Sequence, residues 1–80
     1  MGEFKKLSSL SVGQRGKIIG IAKSLRGQQR RRLMDLGIVP GTEIEVELES
    51  LTGDPLAYKV RGTTIALRKN QTDKIYIEPL

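Results

Sequence analysis

The chain has no cysteine and no histidine. Without thiols it forms no disulfide and no thiolate metal site, which fits a reducing compartment. Without imidazole, conventional zinc, haem and triad chemistry lose their ligand or base. Aromatic side chains are scarce: Phe4, Tyr58 and Tyr76. No apolar run approaches the ~18–20 residues of a membrane helix. Met1 to Val12 lacks the apolar core of a signal peptide. Met1-Gly2 begins like a myristoylation signal, but Lys6 stands where that signal wants Ser or Thr. No Ser, Lys or carboxylate sits in a recognisable catalytic spacing. Gly13-x-x-Gly16 precedes a strand pattern rather than a helix, unlike a dinucleotide fingerprint. These absences lead to the expectation of a soluble, cytoplasmic, non-enzymatic protein with no cofactor and no metal.

What is present is a single small domain of 80 residues, 38% hydrophobic, with a net charge of +5. The charge is unevenly spread. Residues 1–41 hold nine Lys/Arg against Glu3 and Asp35, while residues 42–80 hold five against seven acidic residues. The front half is basic and the back half mildly acidic.

The densest punctuation lies between Arg30 and Gly41. Arg30 to Leu36 carries arginines and leucines at helical spacing. Gly37 follows where a helix needs a residue free to turn left-handed. Pro40-Gly41 then reads as a tight turn, proline presetting φ and glycine accepting a positive one. Beyond it the period changes from about 3.6 to 2. The pattern predicts a helix from about Gln28 to Leu36, capped near Gly27. Leu25, Gln29, Arg32, Leu33 and Leu36 cluster on one side, with Arg30, Arg31 and Met34 on the other.

The remaining elements read as strands. Leu7 to Gln14 is an extended lead-in with one helical turn. Gly16 to Lys23 is a strand in which Ile19 and Ile21 share a face, Ile18 takes the other, and Gly20 marks a bend. Thr42 to Glu49 alternates cleanly, with Ile44, Val46 and Leu48 inward and four glutamates outward, as in an antiparallel sheet with one wet face. Leu51 to Pro55 is a loop. Leu56 to Val60 and Thr63 to Lys69 form a hairpin about Arg61-Gly62. Asn70 to Asp73 is a helical turn, and Ile75 to Ile77 is the last strand. The expected fold is mostly β: a five-stranded antiparallel barrel with one short α-helix between the first two strands.

Four runs carry a family resemblance: Leu7-x-x-Leu10-x-x-Gly13; Arg31-Arg32-Leu33-x-x-Leu36-Gly37-Ile38-x-Pro40-Gly41; Gly53-Asp54-Pro55; and Val60-x-Gly62-x-x-Ile65-Ala66-Leu67-Arg68. Together they resemble the FeoA family across about Leu7 to Ile77. That resemblance implies an SH3-like barrel, and binding to the cytosolic portion of a FeoB-type ferrous iron transporter. The same fold occurs as the C-terminal domain of iron-dependent repressors. Here no helix-turn-helix and no metal ligands precede it, which favours a stand-alone accessory protein.

Met34, flanked by Arg30 and Arg31, suits a docking surface with an apolar centre and cations around it. In a register one or two residues different, Met34 is instead a core residue. Arg32, beside Leu33 and Leu36, is expected to pack its stem and cap a carbonyl. Asp54 and Pro55 form a rim turn that is a second candidate for partner contact. Gly37, Pro40, Gly41 and Gly62 are assigned to caps and turns. Glu43, Glu45, Glu47 and Glu49 stand about 6.5–7 Å apart along their strand, too far to share one ion, and are expected to pair across strands with lysines and arginines. The rival function is nucleic-acid binding, which the charge allows but the few aromatics and the acidic strand disfavour.

Overall fold

The computed structural model describes residues 4–49 and 53–80. The side chains of Leu48 and Glu49, and the expected loop residues Leu51 and Thr52, lie outside the described set. The elements run β1 (Lys5–Lys6), a 3₁₀ turn (Leu7–Ser9), β2 (Arg15–Ile21), α1 (Gly27–Asp35), β3 (Glu43–Glu49), β4 (Leu56–Val60), β5 (Thr63–Leu67), α2 (Lys69–Thr72) and β6 (Ile75–Pro79). One six-stranded antiparallel sheet has the order β1-β6-β2-β3-β4-β5. The strand beyond the expected five is β1, two lysines paired with Tyr76 and Ile77. It carries no alternation to reveal it, and it moves α1 to a place between the second and third strands. Pro79 does not end the last strand before its final pairing, because it lies opposite Gly16 at the sheet's margin.

The core is built by alternation. Ile44 and Val46 of β3, Tyr58 and Val60 of β4, Leu67 of β5, and Ile75 and Ile77 of β6 are almost fully buried, and Leu7, Leu33 and Ile38 join them from outside the sheet. The facing of β2 differs from the simple alternation. The register against β6 shifts between Ile18 and Gly20, so Ile19 is the inserted residue. That bulge lets Ile18 be completely buried while Ile21 still packs on the core, leaving Ile19 half-buried.

The outer face of β3 pairs as a wet face should. Glu43 lies opposite Lys17, and Glu45 opposite both Arg15 and Lys59. Arg15 Nη1 approaches Glu43 Oε1 to 3.6 Å with both side chains exposed, an arrangement worth ~0–1 kcal/mol.

Candidate partner-binding site

Helix α1 positions the site, and its two ends differ. At its start Arg26 is extended and offers no side-chain cap, Gly27 has φ +68°, and no acidic residue occupies the first turn. The end is fully satisfied. Ile38 N–H donates to Leu33 O at 3.0 Å and Gly37 N–H to Met34 O at 3.0 Å, with Gly37 at φ +105°. This is a Schellman stop, and its accompanying apolar contact is supplied by the buried pair Leu33 and Ile38. Three residues on, Thr42 N–H donates to Val39 O with Gly41 at φ +92°, a type II turn around Pro40-Gly41. Gly41 N–H to Ile18 O and Ile18 N–H to Thr42 O, both 2.8 Å, fasten that turn to β2.

The arginines divide their roles differently from the wheel. The Arg30 guanidinium turns back on the chain and donates from Nη1 to the carbonyls of Ala22 at 3.1 Å, Ile21 at 3.3 Å and Leu25 at 3.4 Å. Those carbonyls run from the last residue of β2 to the start of α1, and the guanidinium adds to the Leu25 N–H that reaches Ala22 O at 3.1 Å. The expected carbonyl cap is therefore Arg30, not Arg32. Arg31 and Arg32 are exposed. Met34 is 46% exposed and Leu36 37%.

Between α1 and the end of β5 lies a trough of about 340 Å³, lined by Arg32, Leu33, Leu36, Pro55, Ala66, Leu67, Arg68 and Gln71. Leu36, Pro55 and Ala66 give it apolar walls, and Arg32 and Arg68 flank it, neither of which forms an ion pair among the described residues. A second hollow beside Ser24, Gln29 and Lys74 continues it past Arg68 and Gln71. Of the side on which the wheel grouped Leu25, Gln29, Arg32, Leu33 and Leu36, only Leu25 and Leu33 are covered. Arg32 and Leu36 face this trough and Gln29 the adjoining hollow, and nothing in the spacing separates a covered apolar face from a half-open one.

Asp54 and Pro55 sit at one end of the trough. Asp54 Oδ1 accepts from Lys69 N–H at 2.9 Å, holding the start of α2, while Pro55 lines the trough. Behind Asp54, Tyr58 and Thr72 are each 1% exposed and border a smaller hollow of about 220 Å³. Burial pushes the Tyr58 phenol above its ordinary pKa of 10.0; a hydrogen bond with Thr72 opposes this and the Asp54 carboxylate adds to it. At the hairpin tip, Arg61 (φ +52°) and Gly62 (φ +76°) form the two left-handed positions of a type I′ turn. Among the described residues no three of His, Cys, Asp or Glu converge as a metal site, and no helix is long and apolar enough to cross a membrane.

A small antiparallel sheet with one satellite helix is an SH3-like fold. The chain belongs to the FeoA domain family, whose model matches residues 5–79. A "Fe(2+) transport protein A/Fe(2+) transporter FeoB fusion protein" of Porphyromonas gingivalis is 30% identical over 73 residues, covering 91% of this chain. The chain spans only 8% of that fusion protein's length. Among solved structures, the FeoA-like protein of Clostridium acetobutylicum is 38% identical with a TM-score of 0.87, covering 100% of this chain and 91% of that one. The FeoA of Stenotrophomonas maltophilia, described as a prokaryotic SH3 domain protein complexed with zinc, is 26% identical with a TM-score of 0.79, covering 92% and 89%.

Proposed function

We propose that the chain is a non-enzymatic, cytoplasmic accessory protein of ferrous iron uptake that acts by binding the cytosolic portion of a FeoB-type transporter. The observation that carries this reading is the Porphyromonas gingivalis relative, in which the two parts share one chain. A covalent link keeps two partners at high effective concentration, which is useful when they work in contact. The docking surface is the outer side of α1, with Met34 at its centre and Arg31 beside it, continuing over Leu36 into the trough bounded by Arg32, Pro55 and Arg68. Arg30 and Asp54 serve that surface from behind, by fixing the approach to α1 and the start of α2.

The test is titration of the purified cytosolic portion of a FeoB-type transporter into the wild-type chain and into Met34→Glu. The wild type binds, and the variant keeps its cooperative melt while binding about tenfold or more weakly. A variant that binds like the wild type removes the α1 face from the reading. Absence of binding by the wild type removes the transporter.

A further inference from the structure

We infer that the edge of β5 is an acceptor for a partner's extended segment, which pairs with it as a seventh strand and seats its side chains in the trough beside α1. The inference rests on the proposed docking to a transporter's cytosolic portion and specifies how that docking is made.

The two edges of the sheet are built differently. The β1 edge is two residues long and both are exposed lysines, the usual protection against unwanted pairing. The β5 edge, Thr63–Leu67, has five residues with no charge and no proline, and it pairs with β4 alone. Its hairpin closes through a two-residue turn at Val60 and Thr63, and the register then sets Tyr58 opposite Ile65 and Leu56 opposite Leu67. In an antiparallel pair, every second residue directs its N–H and C=O to the partner strand. Thr63, Ile65 and Leu67 therefore spend theirs on β4, while Thr64 and Ala66 point theirs away from it. Among the described residues no backbone group accepts or donates there. Both residues are exposed.

The surroundings complete an acceptor. Ala66 and Arg68 form one side of the trough, and Arg32 and Leu36 of α1 form the other. A strand edge facing a helix across an apolar groove is the geometry by which extended peptides are held: main-chain bonds supply affinity and the groove reads alternate side chains.

The charge selects the occupant. Arg61 and Arg68 bracket β5, and Arg32 stands across the trough; none of the three is in an ion pair among the described residues. A second copy of this chain, paired antiparallel about Ile65, would bring Arg61 of one copy against Arg68 and Lys69 of the other, a like-charge opposition that disfavours it. An extended segment of another protein, with carboxylates flanking an apolar residue, meets the arginines with their own counter-charge.

Ala66→Pro is the discriminating variant, because it deletes an N–H that points outward and leaves the bonds to β4 in place. Two probes are titrated into the full chain with amide exchange followed at Thr64 and Ala66: the cytosolic portion of a FeoB-type transporter, and a synthetic seven-residue peptide of alternating Glu and Val. Both amides become protected on binding, and Ala66→Pro weakens binding about tenfold without a lower melting temperature. Protection by the peptide with no binding of the transporter portion upholds the acceptor edge and removes the proposed partner. Binding of the transporter portion without protection, and equally by Ala66→Pro, leaves that partner in place and overturns the inference. If neither probe protects either amide, or protection arises only from self-association, the inference is overturned. If Ala66→Pro fails to fold, Arg32→Glu combined with Arg68→Glu replaces it; peptide binding unchanged by that pair also overturns the inference.

Discussion

Gly37 shows how a single position can be fixed by two independent constraints. Its φ of +105° is left-handed backbone that a side chain tolerates poorly, and a Cβ there would stand 3.0 Å from Val60 Cγ1. Gly37→Val combines strain with overpacking and is expected to cost about 2–4 kcal/mol. That would lower the melting temperature by roughly 10 °C or more; an unchanged melting curve would refute this account of the turn. Tyr58 makes a prediction about pH. Its phenol is raised above 10.0 in the folded chain, chiefly by burial. The folded state therefore holds the proton where the unfolded state begins to release it. The stabilisation is complete below pH 10 and is lost as pH rises through the folded value. Wild-type stability should fall relative to Tyr58→Phe above pH 10, as measured by denaturant unfolding across pH 8–11. Parallel profiles would contradict it. At this scale the helical spacing set Met34 opposite Leu33 but left open a register in which it is core, and its 46% exposure decides between the two. The exchange between Arg30 and Arg32 was not legible, because the acceptor carbonyls, Ile21 at the end of β2 and Ala22 and Leu25 in the connection to α1, are brought to Arg30 by a chain path that no periodicity encodes.

Among the elements, the stop of α1 was easier to read than its start. Gly37, Pro40 and Gly41 announce a Schellman cap and a type II turn by residue type alone, since each demands a φ that only such residues supply cheaply. The start has no such signal, and the structure explains why: Arg26 caps with no side chain, and the first turn contains no acid to meet the helix's positive end. Arg26→Asp supplies both and should stabilise by about 0.5–1 kcal/mol, a rise of several degrees in melting temperature. A fall would mean that Arg26 contributes something its weak 3.4 Å contact with Lys23 O does not suggest. The strands illustrate the same division. Alternation gave Ile44 and Val46 of β3 their inward facing, but not the bulges at Ile19 of β2 and Glu47 of β3, because a one-residue insertion leaves no mark in composition. Two-residue β1 is too short to show a period at all.

For the molecule as a whole, the fold mixes the basic front half and the acidic back half of the sequence: Arg15 and Lys17 lie opposite the glutamates of β3, and Arg68 joins Arg32 at the trough. Glu43 and Glu45 of β3 are met by Arg15, Lys17 and Lys59, while Glu47 accepts from Thr64 Oγ1. Arg31, Arg32 and Arg68, exposed around α1 and the trough, have no such counterparts among the described residues. The exposed arginines leave a positive rim around α1 and the trough. The chain's overall sheet could be read from its alternation and turns, but the trough could not. It is made by Leu36 of the helix, Pro55 of a loop and Ala66 of a strand, brought together only by the tertiary arrangement. The most direct measurement is an amide-shift map of the chain during titration with the cytosolic portion of a FeoB-type transporter. The account predicts the largest shifts at Met34, Leu36, Ala66 and Arg68, shrinking as salt is raised. Shifts centred instead on Glu43 to Glu47, with α1 and the trough unmoved, would contradict it.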